Sequence, residues 1–280
     1  MKILFCGDLV GRSGRDVVLE NLPALRTEMA LDFVVVNAEN AAHGFGLTRE
    51  ICEELFEAGA DAITTGNHVW DQREIIPFID GDPRVLRPIN YVRGTPGRGA
   101  SVIKARDGRS VLVVNVMCRL FMELLDDPFA AVDEVLNSHV LGKSVDAVLI
   151  DVHGEATSEK VALGHVCDGR ASLVVGTHTH IPTADAQVLP GGTAYQSDAG
   201  MCGDYDSVIG MRKETAIAKF RTKVVTERLA PARGPGSLCA VYVETDDASG
   251  LAARVAPVVL GGRLQPAWPI FLPPRGPAAA

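Results

Sequence analysis

Ala171-Ser-Leu-Val-Val175 runs without a break into Gly176-Thr-His178-Thr-His180, an apolar segment of strand length that ends in two imidazoles. Alternate residues at a strand end point to the same side, so both histidines can face one centre. Four more runs share this design: Lys2-Ile-Leu-Phe-Cys6 before Gly7-Asp8, Asp32-Phe-Val-Val-Val-Asn37 before Glu39-Asn40, Asp61-Ala-Ile-Thr-Thr65 before Gly66-Asn67-His68, and Ala147-Val-Leu-Ile-Asp-Val152 before His153. Short, continuously apolar runs read as strands buried on both faces, and in open α/β sheets ligands gather beyond the carboxyl ends of such strands. Five strand ends that offer carboxylate, amide or imidazole predict an enzyme with a binuclear metal centre.

Helical spacing fills the intervals and gives the β-α alternation of a layered α/β protein. Thr48 caps a predicted helix with Ile51, Leu55 and Phe56 on its apolar face, and Gly59 stands where it ends. Residues 129 to 141 and 157 to 166, the latter opened by Thr157 or Ser158, repeat the pattern. Pro23 predicts a kink or break between Arg15 and Ala30. Arg84 to Gly99, rich in Pro, Gly and Arg, reads as a long loop on the site side. Beyond residue 222, Leu238 to Glu244 and Ala253 to Leu260 predict an antiparallel hairpin at one sheet edge. Leu264 to Ala280 carries five prolines and reads as extended or disordered. The expected organisation is one domain over residues 1–263 followed by a Pro-rich tail, 264–280.

The 280 residues are 47% hydrophobic, enough for a large core, and the net charge of -8 supplies no broad cationic surface for a nucleic-acid backbone. Any phosphate must then be held locally. Cys6, Cys52, Cys118, Cys167, Cys202 and Cys239 stand singly, which fits buried reduced thiols in a cytosolic protein. The four apolar residues before Gly7-Asp8 are too few for a signal-peptide core or a membrane span, so a cytoplasmic location without a membrane partner is expected. Leu and Phe residues near 120 to 129, with the tail, point to contacts in a homo-oligomer.

Hard or borderline divalent cations accept carboxylate, amide oxygen and imidazole, and two of them roughly 3.5–4 Å apart clamp the oxygens of a phosphoryl transfer. A carboxylate must bridge them. Glu39 is the only acid that ends a strand beside another ligand-capable residue; Asp8, Asn67, His153, His178 and His180 fill the remaining positions.

Gly7-Asp8, Gly66-Asn67-His68 and Gly176-Thr-His178-Thr-His180, in that order, resemble the signature of calcineurin-like metallophosphoesterases. The match narrows to the bacterial YmdB-like branch through Asn37-Ala-Glu39-Asn40-Ala-Ala, Thr65-Gly-Asn67-His68-Val-Trp-Asp71, Gly94-Thr-Pro-Gly-Arg-Gly99, His153-Gly-Glu-Ala-Thr-Ser-Glu-Lys160 and Pro190-Gly-Gly-Thr-Ala-Tyr195. The resemblance covers about residues 1 to 222. It implies a four-layer α/β/β/α sandwich, two divalent or mixed-valence metal ions, most often iron or manganese with zinc compatible, and phosphodiesterase activity that includes cyclic nucleotides, 2',3' or 3',5'. It also implies that Asp8 and His180 bind the first metal, Glu39 bridges, and Asn67, His153 and His178 bind the second. A hydroxide held between the cations would attack phosphorus while His68 protonates the leaving oxygen. The wider superfamily has a histidine two residues after the first aspartate, where this chain has Val10; Asn40 is the natural substitute on the first metal.

Taken singly, each feature has a plainer explanation: Gly7-Asp8 a turn, Asn67 a left-handed residue, His153 a core histidine, His178 and His180 a solvated pair. Five strand ends together outweigh it. His139 and His165 read as packing or surface residues, His43 as a residue within reach of substrate. Arg98 and Arg119 can offer a guanidinium to phosphate, and Tyr205 can stack on a base, although a plain ordered loop is the simpler reading there. Three alternatives remain. An amidohydrolase would want an early His-x-His and eight β/α units, and neither appears. A regulatory metal-binding protein with little activity and a metal-dependent phosphomonoesterase stay open.

Overall fold

The computed structural model describes residues 1–223 and 227–275. In chain order the elements are β1 (Lys2–Cys6), β2 (Asp8–Leu9), α1 (Gly11–Glu28), β3 (Phe33–Asn37), α2 (Arg49–Ala58), β4 (Ala62–Thr64) and α3 (Ile75–Gly81). They continue with β5 (Ala100–Lys104), β6 (Ser110–Met117), α4 (Pro128–Ser138), β7 (Ala147–His153), α5 (Thr157–Val166), β8 (Leu173–Thr177), β9 (Gln187–Val188) and β10 (Ala194–Gln196). The last are β11 (Met201–Cys202), α6 (Lys213–Thr222), β12 (Leu238–Thr245) and β13 (Ala252–Leu260).

Two mixed sheets lie face to face, one ordered β13-β12-β1-β3-β4 and the other β5-β6-β7-β8-β10-β9. The alternation along each strand explains the layering. Ile3, Phe5, Phe33 and Val35 point between the sheets and meet Val111, Val113, Leu149, Leu173 and Val175. Their neighbours Leu4, Cys6, Val34 and Val36 turn outward onto Val18, Leu22 and Leu25 of α1 and Ile51 and Leu55 of α2. On the far side, Leu112, Val114, Ile150 and Val174 pack on Val132 and Leu136 of α4 and Leu163 of α5. Strands apolar on both faces need cover on both, and the result is the expected four-layer α/β/β/α sandwich.

Thr48 accepts a hydrogen bond from Ile51 N, and Gly59 ends α2 at φ 115°, as its sequence predicts. The expected break at Pro23 does not occur: α1 runs through it as one helix of 18 residues. Pro23 removes one intrahelical donor, but Val18, Leu22 and Leu25 bury their side chains on either side of it, which holds the helix to the sheet. The segment predicted over 129–141 is helical at Pro128–Ser138, capped by the Asp127 side chain. Loop 84–99 lies on the site side, where Ile89 N donates to Asn115 O and Asn90 Nδ2 to Met117 O at the carboxyl end of β6. The C-terminal hairpin forms as expected, with β13 at the sheet edge. Its continuation is not loose: Trp268, Phe271 and Leu272 pack against the α1–α2 side of the core, and Arg275 pairs with Glu28. The end of the predicted tail, Gly276 to Ala280, lies outside the described residues.

All six cysteines are buried and unpaired. No helix among the described residues is long and apolar enough to cross a membrane. Leu120, Phe121 and Leu124 are exposed.

Candidate metal centre

The carboxyl ends of β1, β3 and β4 in one sheet meet those of β7 and β8 in the other, and every residue predicted at these ends arrives at one place. Two groups of side chains offer ligand atoms within 4.8 Å of one another: Glu39 with His153 and His178, and Asp8 with Glu39 and His180. Glu39 belongs to both. Asn67 Oδ1 lies 2.9 Å from His153 Nε2, which lies 3.2 Å from His178 Nδ1 and 3.3 Å from Glu39 Oε1. Asn40 Nδ2 sits 3.0 Å from Glu39 Oε1 and 3.2 Å from His180 Nε2.

The donor set fits a pair of divalent cations. Asp8 Oδ1 and Asn40 Oδ1 are buried and have no hydrogen-bond partner, a situation native interiors avoid unless something else satisfies the oxygen. Two imidazole nitrogens, His153 Nε2 and His178 Nδ1, face each other 3.2 Å apart, and both become cation ligands once the proton that His153 carries is released. A half-turn of the Asn40 amide exchanges Oδ1 for Nδ2 and offers an oxygen beside Glu39 and His180. Val10, where the wider superfamily has histidine, is buried against Met201 and Met211 and offers no ligand.

The charges are strongly perturbed by burial and by each other. Burial pushes the Asp8 carboxyl up to about 7, against the pull of His180 and His153. Burial works against the charge on both Glu39 and His153, yet their mutual attraction wins: Glu39 is held well below the carboxylate range and His153 is raised to about 9. Burial, with the neighbouring His153, lowers His178 to about 3.

A further set of residues aims the ligands. His153 Nδ1 donates to Thr177 Oγ1 at 2.9 Å, and Thr177 Oγ1 donates to Asp151 Oδ1 at 2.6 Å, which keeps a proton on Nδ1 and makes Nε2, facing the centre, the nitrogen that gives up its proton when a cation binds. His180 Nδ1 donates to Ile209 O at 2.8 Å, which likewise keeps a proton on Nδ1. His178 and His180 both sit at positive φ, 96° and 67°, and Asp198 holds that bend by accepting from Thr179 N and Thr179 Oγ1. Lys160, almost fully buried, ties Asp198 to Thr177 O. Gly66 is required by space: a Cβ there would lie 2.3 Å from His153 Nε2 and 2.4 Å from Glu39 Oε2. Asp151, Lys160 and Asp198 were not singled out by sequence reading. Their only signal was a charge set in or beside a buried run, at Asp151 in β7 above all.

Over the centre opens a cleft of about 310 Å³ whose polar side is Glu39, Asn40, His68, His178 and His180 and whose apolar side is Phe45, Ile209, Met211 and Leu229. His68 lines it with Nδ1 held by Asp71 Oδ2 at 2.8 Å and its ring against the edge of Phe45. Arg98 and Arg119 do not reach this cleft; the first donates to Asp80 O and the second faces Asp127. Tyr205 is not a stacking platform either, because its hydroxyl is committed to His180 O and Met201. His43 lines a different cleft.

Comparison with known proteins adds the lineage. A family model described as YmdB-like protein matches residues 4–258. The chain is 47% identical over 260 residues to the 2',3'-cyclic-nucleotide 2'-phosphodiesterase of Bacillus subtilis (strain 168), covering 93% of this chain and 97% of that one. Among solved structures, a hypothetical protein from Thermus thermophilus superposes with a TM-score of 0.87 at 43% identity, covering 94% of this chain and 100% of that one. A novel phosphatase from Mycoplasma pneumoniae gives a TM-score of 0.86 at 31% identity, with 93% of each chain covered. Family match, identity and fold agree along almost the whole length, and the chain belongs to the YmdB-like protein family.

Proposed function

We propose that the chain is a phosphoric diester hydrolase that opens 2',3'-cyclic nucleotides with the help of two divalent cations. Asp8, Asn40 and His180 would hold one cation, Asn67, His153 and His178 the other, and Glu39 both. The observation that carries this reading is the sharing of Glu39 by two ligand clusters, with two buried oxygens left without partners beside it. Iron, manganese and zinc all suit such a nitrogen and oxygen donor set. Divalent cations bound there supply activation of water near neutral pH and compensation of phosphate charge.

This chain's own residues do the rest. Asp71 fixes Nδ1 of His68, so Nε2 is the nitrogen left to protonate the departing alkoxide. Phe45, Ile209, Met211 and Leu229 give a base an apolar wall. No arginine or lysine lines this cleft among the described residues, and Glu155 at its edge adds a negative charge beside His178. A singly charged diester suits that balance better than a doubly charged monoester, which favours phosphodiesterase over phosphomonoesterase. The relative from Bacillus subtilis, named for the 2',3'-cyclic substrate, supports the same choice.

The test is turnover of bis-p-nitrophenyl phosphate and of 2',3'-cyclic and 3',5'-cyclic AMP by one metal-analysed sample. Hydrolysis of the 2',3'-cyclic compound to a 3'-phosphate is expected. A sample replete in metal that hydrolyses none of them would favour a regulatory metal-binding protein.

A further inference from the structure

A second and larger cleft, about 930 Å³, is lined by Arg12, Arg15, Arg233 and His43, with Asp16 and Glu20 as its carboxylates. It adjoins the first through two segments of chain. His43 is three residues from Asn40, a span of at most about 11 Å, and Pro231, also in its wall, is two residues from Leu229 of the first cleft. Gly11 N, immediately before Arg12, donates to Asn40 O at 2.9 Å. The residue that precedes Arg12 in the chain is therefore bonded to a candidate ligand of the first cleft.

Its cations are poorly satisfied from within. Among the described residues only Arg12 has a partner, an exposed Asp16 at 3.4 Å. Arg15 and Arg233 make no hydrogen bond or ion pair among the described residues, and Arg15 Nε is buried without a partner. The guanidinium groups line the cleft with donors uncommitted among the described residues, and a bidentate acceptor such as phosphate is what their geometry matches. In a chain whose net charge is -8, arginines that line one cleft beside the candidate reaction centre without a partner among the described residues mark a local anion site.

We propose that this cleft binds the 5'-side phosphates of a short oligonucleotide whose 2',3'-cyclic end lies at the metal-ligand clusters, so that the preferred substrate is the end of a nucleotide chain rather than a mononucleotide. This rests on the phosphodiesterase reading for the identity of the reacting end. The cleft supplies what the first one lacks, fixed positive charge for additional phosphates. His43, an exposed wall residue of the second cleft three positions after Asn40, is on the segment that links the two clefts.

Binding tests this without turnover. Fluorescence anisotropy with a labelled tetra-adenylate ending in a 3'-hydroxyl should show tighter binding than labelled AMP. Arg233→Ala and Arg15→Ala should each weaken the tetra-adenylate about tenfold and lower the salt dependence of its binding by about one unit. The ratio of tetra-adenylate to AMP affinity should fall in both. Arg233 is exposed, so its substitution leaves the packing intact, and Arg233→Lys should recover part of the loss. Equal affinity for the two probes, wild-type affinity in both alanine variants, or displacement of tetra-adenylate by inorganic phosphate at matching concentration would each overturn the proposal. Failure of the phosphodiesterase reading would appear separately, as absent hydrolysis with these binding differences intact.

Discussion

Glu39 follows a strand of one sheet and His153 ends a strand of the other, and the two meet with Oε1 and Nε2 3.3 Å apart. Neither side chain is exposed to solvent. The contact joins the two halves of the sandwich at the point where both ligand clusters overlap, so the site depends on how the apolar core sets the two sheets against each other.

Cation binding should strengthen as pH rises. Without cations, Asp8 keeps its proton to about 7 and His153 keeps its charge to about 9. Both folded values lie above the ordinary ones, so their contribution to stability is full at low pH and is lost as pH rises, from about 4 through 7 for Asp8 and from about 6.5 through 9 for His153. Ligation requires both groups deprotonated and releases those protons. The rise in Tm caused by Mn²⁺ should be larger at pH 8.5 than at pH 6.0. An equal or smaller rise at the higher pH would count against this ligand set.

Replacing His68 by alanine should lower kcat by about 10²–10⁴-fold, the range for loss of a general acid, and leave metal content unchanged by elemental analysis. Parallel loss of metal would make His68 a ligand instead.

Gly66→Ala should abolish cation binding while the fold survives. The new methyl group would meet the polar atoms His153 Nε2 and Glu39 Oε2 and no apolar side chain among its nearest neighbours. Normal metal stoichiometry in this variant, measured beside an unchanged circular dichroism spectrum, would show that the two side chains do not share a site.

Lys160→Met should destabilise the protein by about 3–5 kcal/mol, because Asp198 is left as a buried charge without its cation. Urea unfolding measures this. Turnover should also fall in the folded fraction, since Asp198 and Lys160 hold the bend that carries His178 and His180. A loss below about 1 kcal/mol would mean that Asp198 is neutralised in another way.

Strand ends were readable because a strand covered on both faces is mostly apolar, so the polar residues gathered at its carboxyl end stand out. Asp8, Glu39, Asn67, His153 and His178 all follow that rule, and the branch motifs added Asn40. Asp198 does not: it lies in the irregular stretch between β10 and β11, and its meaning comes from Lys160, 38 residues earlier. Phe45, Met211 and Leu229 were equally hidden, since a cleft wall gathers single residues from unrelated loops. The β5–β6 hairpin escaped because its run leads to no ligand, and the continuity of α1 through Pro23 depends on packing that local propensity does not contain.

Diffraction from crystals grown with Mn²⁺, collected at the manganese edge, tests the central claim most directly. Two anomalous peaks roughly 3.5–4 Å apart, both touching the Glu39 carboxylate, are the predicted result. A single peak, or two peaks of which one avoids Glu39, would contradict it.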